Sequence, residues 1–182
     1  MDFKALIWQY GQGKRDFSRL DLQRIELIRE MLIEIDFSRT SLEWANLSGT
    51  NLTGADLNRA DLIYARLLSA KLIDADLTGA NLQNADLSWV DLENATLASA
   101  DLRGANLKQV NLSYADLTSA NLSGANLTGA ILNGAKLNRV DLSYANLSGV
   151  DLSGANLSRS DLSYVDLREA DLTNANLYKA DM

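Results

Sequence analysis

From Phe37 to Met182 every fifth residue is apolar, and all 28 positions between these two are Leu. An α-helix turns about 100° per residue, so a step of five scatters these side chains around its circumference. A β-strand changes face at every residue, so a step of five sends successive leucines to opposite sides. Neither element buries such a series. Coiled coils and leucine-rich repeats demand other spacings, so both are excluded.

The backbone must therefore turn a corner every five residues. Two positions before each Leu stands Ala or another small or β-branched residue, as at Ala45, Val90, Val140 and Ser160, and just before it comes mostly Asp or Asn. In such a triplet the first and third side chains share one side and the second points away. The next two residues, often Ser-Gly or Thr-Gly, suit a turn. Four corners close a square coil of 20 residues, with Ala and Leu inside. Backbone groups then pair with the coils above and below, at about 4.8 Å. Leu42, Leu62, Leu82, Leu102, Leu122, Leu142 and Leu162 are predicted to form one inward column. The absence of Pro agrees with a continuous backbone ladder.

The motif A-[DN]-L-x-x resembles that of the pentapeptide-repeat family, and the likeness runs over residues 35–182. This resemblance implies an all-β solenoid, the right-handed quadrilateral β-helix, with four pentapeptides per coil. Its handedness comes from the family and not from the period.

The same phase continues upstream in worn form through Leu22, Leu27 and Leu32, which makes residues 16–34 a degenerate first coil. A helix over 22–35 is the rival, since "LQRIELIREMLIEI" is rich in helix formers. The unbroken phase favours coil, although Ile28, Met31 and Ile33 then face outward. Residues 1–15 read as a short α-helical cap: Phe3, Leu6, Ile7 and Tyr10 share a helical stripe, Asp2 is placed to cap it, and Gly11 and Gly13 to end it. Such a lid covers the open end of a solenoid. Helix followed by "YGQGKRDFS" also resembles the start of cyanobacterial members of the family. At the other end "ANLYKADM" leaves a bare coil, which either frays or stacks on a second copy as an end-to-end homodimer.

Composition narrows the chemistry. With no His and no Cys, the commonest general base, nucleophilic thiol and zinc ligands are missing. No phosphate-cradling motif is present. The expectation is no catalytic residue, no metal and no cofactor. The lack of a signal peptide or of about 20 consecutive apolar residues predicts a soluble, cytoplasmic chain without a membrane partner. The net charge of −7 argues against direct nucleic-acid binding.

Outward positions 20 apart should stack into columns. One corner carries Arg39, Arg59, Arg139, Arg159 and Lys179, the next Trp44, Tyr64, Tyr144 and Tyr164. Stacked like charges repel by about 1 kcal/mol per pair in water. The basic corner either meets an acidic partner or neutralises Asp61, Asp141, Asp161 and Asp181 on the adjoining face, and the two-residue spacing favours neutralisation. The aromatic corner either binds or stacks on itself. Both columns thin out over residues 79–124, leaving a shallow saddle floored by Asn81, Asp101 and Asn121 as a candidate docking face. Ile63, Leu68 and Ile73 add an apolar patch.

The leading functional expectation is a rigid, non-catalytic module that binds an unidentified protein. The alternative, implied by the family resemblance, is a mimic of duplex DNA that occupies the DNA site of a type II topoisomerase such as gyrase. Residues 35–182 hold 18 acids against 11 bases, over a length of about 35 to 40 Å. The interrupted acidic faces and the lack of long loops speak against it.

Overall fold

The computed structural model describes residues 1–182. From Asp16 onward the chain is a right-handed quadrilateral β-helix. Single-residue parallel bridges join each coil to the next at a constant offset of 20, beginning with Asp16 to Asp36 and ending with Asp161 to Asp181. Residues 22–35 belong to this ladder and form no helix. The four faces are numbered I to IV by their outward columns, which start at Asp16, Asp21, Glu26 and Met31 respectively.

The five-residue step follows from hydrogen bonding. In the repeat around Leu42, the Leu42 N–H donates to Asp61 at 2.7 Å, the Trp44 N–H to Ile63 at 3.0 Å, and the Ala45 N–H closes the corner on Leu42 at 3.0 Å. The Asn46 N–H points the other way, to Ile25 at 2.9 Å. The residue after Leu is left with a free N–H. The Asp or Asn before Leu supplies the missing acceptor, as where Ser38 donates to Asp36 Oδ1 and Asn58 to Asp56 Oδ1, both at 2.8 Å. The Asx position of the motif is thus a turn cap as well as a solvated surface.

Every corner also needs one residue with positive φ, the second after Leu. From Arg19 to Lys179 these values lie between about 54° and 68°. Glycine fills only nine of these positions; Arg, Tyr, Trp, Ser, Asn and others take the rest. Ser-Gly marks the turn, yet most corners close without it, and the ladder bonds on either side hold the left-handed residue in place.

Inside runs one cluster of 55 buried apolar residues, from Leu6 to Leu162. The column Leu42, Leu62, Leu82, Leu102, Leu122, Leu142 and Leu162 is buried throughout. Two hydroxyls in the small-residue slot are satisfied: Thr40 donates to the Phe17 carbonyl at 2.9 Å, and Thr50 to that of Leu27.

Helix α1 (Phe3–Gly11) precedes the first coil. Asp2 caps it by accepting from the Ala5 N–H at 2.8 Å. Leu6 is buried, Ile7 and Tyr10 pack on the core, and Phe3 is exposed, so the helix meets the coil through its later turns. Tyr10 donates its hydroxyl to the Ile33 carbonyl at 3.0 Å, and the Arg15 guanidinium covers its ring at 4.1 Å. At the opposite end Leu167, Leu172 and Leu177 are only half-buried. No helix is long and apolar enough to cross a membrane.

Candidate interaction faces

Leucines fill the solenoid, so any site must lie on the outer columns. At the corner between faces II and III, Trp44 and Tyr64 stack with centroids 4.3 Å apart and planes inclined by 20°. Tyr144 and Tyr164 do the same at 4.9 Å and 9°. The stacking expected between coils is present, yet it leaves the outer surfaces open: the four rings remain 43% to 79% exposed. Asn84, Gly104 and Gly124 separate the two pairs by about 19 Å, at 4.8 Å per coil. The corner thus holds two aromatic clusters and not one stripe.

The saddle between them is less open than its sequence suggests. Asp101 is held by Arg103, whose Nε lies 2.9 Å from Oδ1 and Nη2 2.6 Å from Oδ2, and Gln83 donates to Oδ2 at 2.9 Å. Arg103 thereby holds the Asp101 carboxyl below its usual range, against the opposing effect of partial burial. The floor of Asn81, Asp101 and Asn121 therefore carries a cation beside its central acid. The spacing of Asp101 and Arg103, two apart on one face, was the available signal for this pair.

The basic corner between faces I and II starts one coil earlier than Arg39, at Arg19. None of Arg39, Arg59, Arg139, Arg159 or Lys179 forms an ion pair with Asp61, Asp141, Asp161 or Asp181; the ion pairs are Arg103–Asp101, Lys136–Asp116 and Arg168–Asp166. Arg39, Arg139 and Arg159 instead line two grooves on face I. Near α1 the groove holds Arg19 and Arg39 with Asp16, Asp56 and Asp76. At the far end Arg139 and Arg159 stand over Asn138, Asn156 and Asn176, with no acid among the lining residues. A third concavity, between Ile28 and Leu68 on face III, leaves those two side chains exposed.

Several outward residues escape a reading confined to two corners. Trp89 and Tyr114 are exposed on the other two corners, and Tyr178 beside the far groove. Their positions after Leu87, Leu112 and Leu177 were legible from the same phase.

The bridge offset, the Asx-capped corners and the Leu column define a pentapeptide-repeat solenoid. The family of pentapeptide repeats matches the sequence in eight copies, over residues 35–70, 70–109, 91–134, 120–159 and 151–182. The chain belongs to the pentapeptide-repeat family.

Among solved structures, the chain is 35% identical to HetL, a pentapeptide repeat protein involved in heterocyst differentiation regulation from the cyanobacterium Nostoc sp. strain PCC 7120. That alignment covers 100% of this chain and 94% of HetL, with a TM-score of 0.45. It is 27% identical to the pentapeptide repeat protein alr5209 of Nostoc PCC 7120, covering 97% and 95% of the two chains, with a TM-score of 0.41. QnrB1, a plasmid-mediated fluoroquinolone resistance protein, is 23% identical over 88% of this chain and 90% of its own, with a TM-score of 0.49. No curated protein sequence matches the chain.

Proposed function

We propose that this protein is a rigid, non-catalytic interaction module of the cytoplasm that presents solenoid faces to a protein partner. The observation that carries this reading is the exposure of Tyr144 and Tyr164 at 67% and 79% despite their mutual stacking. Rigid aromatic surface lends large contact area at little entropic cost. Face II, between the corner of Arg59, Arg139 and Arg159, of which the last two lean toward face I, and the corner of Trp44, Tyr64, Tyr144 and Tyr164, is the proposed docking face. The half-buried Leu167, Leu172 and Leu177 support an end-to-end homodimer, which sedimentation velocity tests directly.

The test is recovery of a partner from the native host with wild-type bait and with Tyr64→Ser and Tyr144→Ser/Tyr164→Ser baits. A partner lost with the aromatic variants supports the module; one retained by all baits refutes the docking face. The alternative reading, a DNA mimic acting on gyrase, draws support from the unbroken column Asp16, Asp36, Asp56 and Asp76 on face I. It requires inhibition of gyrase supercoiling that weakens in Asp56→Asn/Asp76→Asn. Unchanged supercoiling at saturating protein rejects it.

A further inference from the structure

We infer that the C-terminal half of face I is an anion-recognition groove that docks an acidic peptide segment of a protein partner. This inference rests on the reading of the chain as an interaction module and names the chemistry of what it binds.

Face I changes character along its length. Its outward column reads Asp16, Asp36, Asp56 and Asp76 near α1, passes through Thr96 and through Asp116, which pairs with Lys136, and ends in Asn156 and Asn176. The flanking corner is basic at both ends, but only near α1 does an acidic floor accompany it. Arg139 and Arg159 line the far groove, and neither forms an ion pair. In a chain of charge −7, Arg139 and Arg159 thus stand over a floor without carboxylates, unlike Arg19 and Arg39 on the same corner.

The amide oxygens of the Asn floor are already engaged. Asn156 Oδ1 is already occupied by the Ser158 N–H at 3.1 Å and by Asn176 Nδ2 at 3.1 Å. Asn138 Oδ1 accepts from the Thr118 hydroxyl at 3.2 Å. With both side-chain oxygens engaged inside the protein, the Asn138 and Asn156 NH₂ groups, among the lining residues of the groove, have no acceptor within the protein. Lys179 lies 5.3 Å from the Tyr178 ring at the groove's edge and adds a third cation. Two coils separate Arg139 from Lys179, about 10 Å along the axis. That span matches about three residues of extended peptide.

Arginine forks and amide donors recognise carboxylates in this way. A nucleic-acid backbone fits less well. A footprint of about 10 Å holds a few carboxylates but only a small part of a long polyanion, whose affinity comes from many phosphate contacts.

The experiment measures binding of a fluorescent oligoglutamate peptide and a short single-stranded oligonucleotide to the full chain, by anisotropy at low and physiological salt. The peptide is expected to bind, to weaken with salt, and to lose about tenfold or more in affinity in Arg139→Gln/Arg159→Gln. Arg19→Gln/Arg39→Gln, on the same corner over the acidic floor, is expected to leave peptide binding unchanged. Absence of peptide binding, equal losses in the two double variants, or tighter binding of the oligonucleotide overturns the proposal. Amide chemical-shift changes at Asn156 and Ser158 of the wild-type protein give the same answer without substitution, and shifts confined to other faces overturn it. Should the peptide fail while a Tyr144-dependent host partner survives, the groove falls and the module stands. If that partner is absent while the peptide binds, the aromatic docking face falls and the groove stands.

Discussion

Trp44 lies flat against Tyr64, twenty residues further along the chain, with ring centroids 4.3 Å apart and planes inclined by 20°. Coil pitch sets the separation: side chains stacked at about 4.8 Å are already at the distance aromatic rings favour. The pair should therefore couple coils energetically while its outer surface stays free to bind. A double-mutant cycle of Trp44→Ala and Tyr64→Ala, followed by urea unfolding, is expected to show a coupling of about 0.5–1.5 kcal/mol. Zero coupling would reduce the stack to coincidence of geometry.

Backbone strain at the corners gives a second prediction. Ser99 and Gly124 both sit at the left-handed corner position, with φ of 57° and 68°. Ser99→Gly is expected to raise stability by up to about 1 kcal/mol, since relief of left-handed strain exceeds the added entropy of the unfolded chain. Gly124→Ala meets nothing within 4 Å, so its cost of about 0.5–1 kcal/mol is purely conformational. Gly134→Ala should cost more, because the new Cβ would stand 2.7 Å from the Tyr114 ring. Thermal unfolding of the three variants ranks them.

These corners also mark where sequence reading was strong and where it stopped. The step of five places Leu102 and its column inside, because burial on a rigid 20-residue coil is a matter of counting. The same count set Trp44 over Tyr64. It could not say which way a long flexible side chain leans. Arg139 and Arg159 stand two residues before Asp141 and Asp161, which suggests neutralisation, yet they lean over face I. Arg103, at the same separation from Asp101, does close an ion pair. Sequence separation alone does not distinguish these cases, because Arg103 follows its acid on the same face and Arg139 precedes its acid across a corner.

The Asx cap gives a third prediction. Asp56 Oδ1 accepts the Asn58 N–H, which has no partner in the backbone ladder. Asp56→Asn retains an acceptor and is expected to change stability by less than about 0.5 kcal/mol. Asp56→Ala orphans the N–H and should cost about 1 kcal/mol or more. Equal effects in urea unfolding would show that charge, and not capping, is what the position supplies.

Acid sensitivity should concentrate where carboxylates are held ionised. The Arg168 guanidinium beside Asp166, together with the Arg168 N–H, pulls its carboxyl from 3.8 down to about 2. Asp161 and Asp171 are lowered by the hydroxyl and N–H groups of Ser163 and Thr173. A carboxyl depressed in the folded state stabilises above its unfolded value and loses that contribution as pH falls through its folded one. The last coils should therefore weaken between about pH 4 and about pH 2. Arg168→Gln is expected to flatten this part of the stability profile. An unchanged profile in the variant would contradict the assigned cause.

Leu102 and Leu172 test how the core shares its load. Leu102 is fully buried mid-solenoid, with coils on both sides, whereas Leu172 is half-buried in the last coil. Truncating Leu102 to Ala leaves a cavity that neighbouring coils cannot collapse into without breaking ladder bonds such as Leu82 N–H to Asp101 and Leu102 N–H to Asn121, both 2.7 Å. Its expected cost is about 3–5 kcal/mol, against less than half of that for Leu172→Ala, whose side chain gives up less buried surface. Because each coil contacts only its neighbours, the damage from Leu102→Ala should also be local. Hydrogen exchange should accelerate first at the Leu82, Leu102 and Leu122 amides, before those of the first coils that α1 covers. Uniform acceleration along the chain would instead mean that the solenoid unfolds as one cooperative unit, and the cost of a coil could not be assigned to its own leucines.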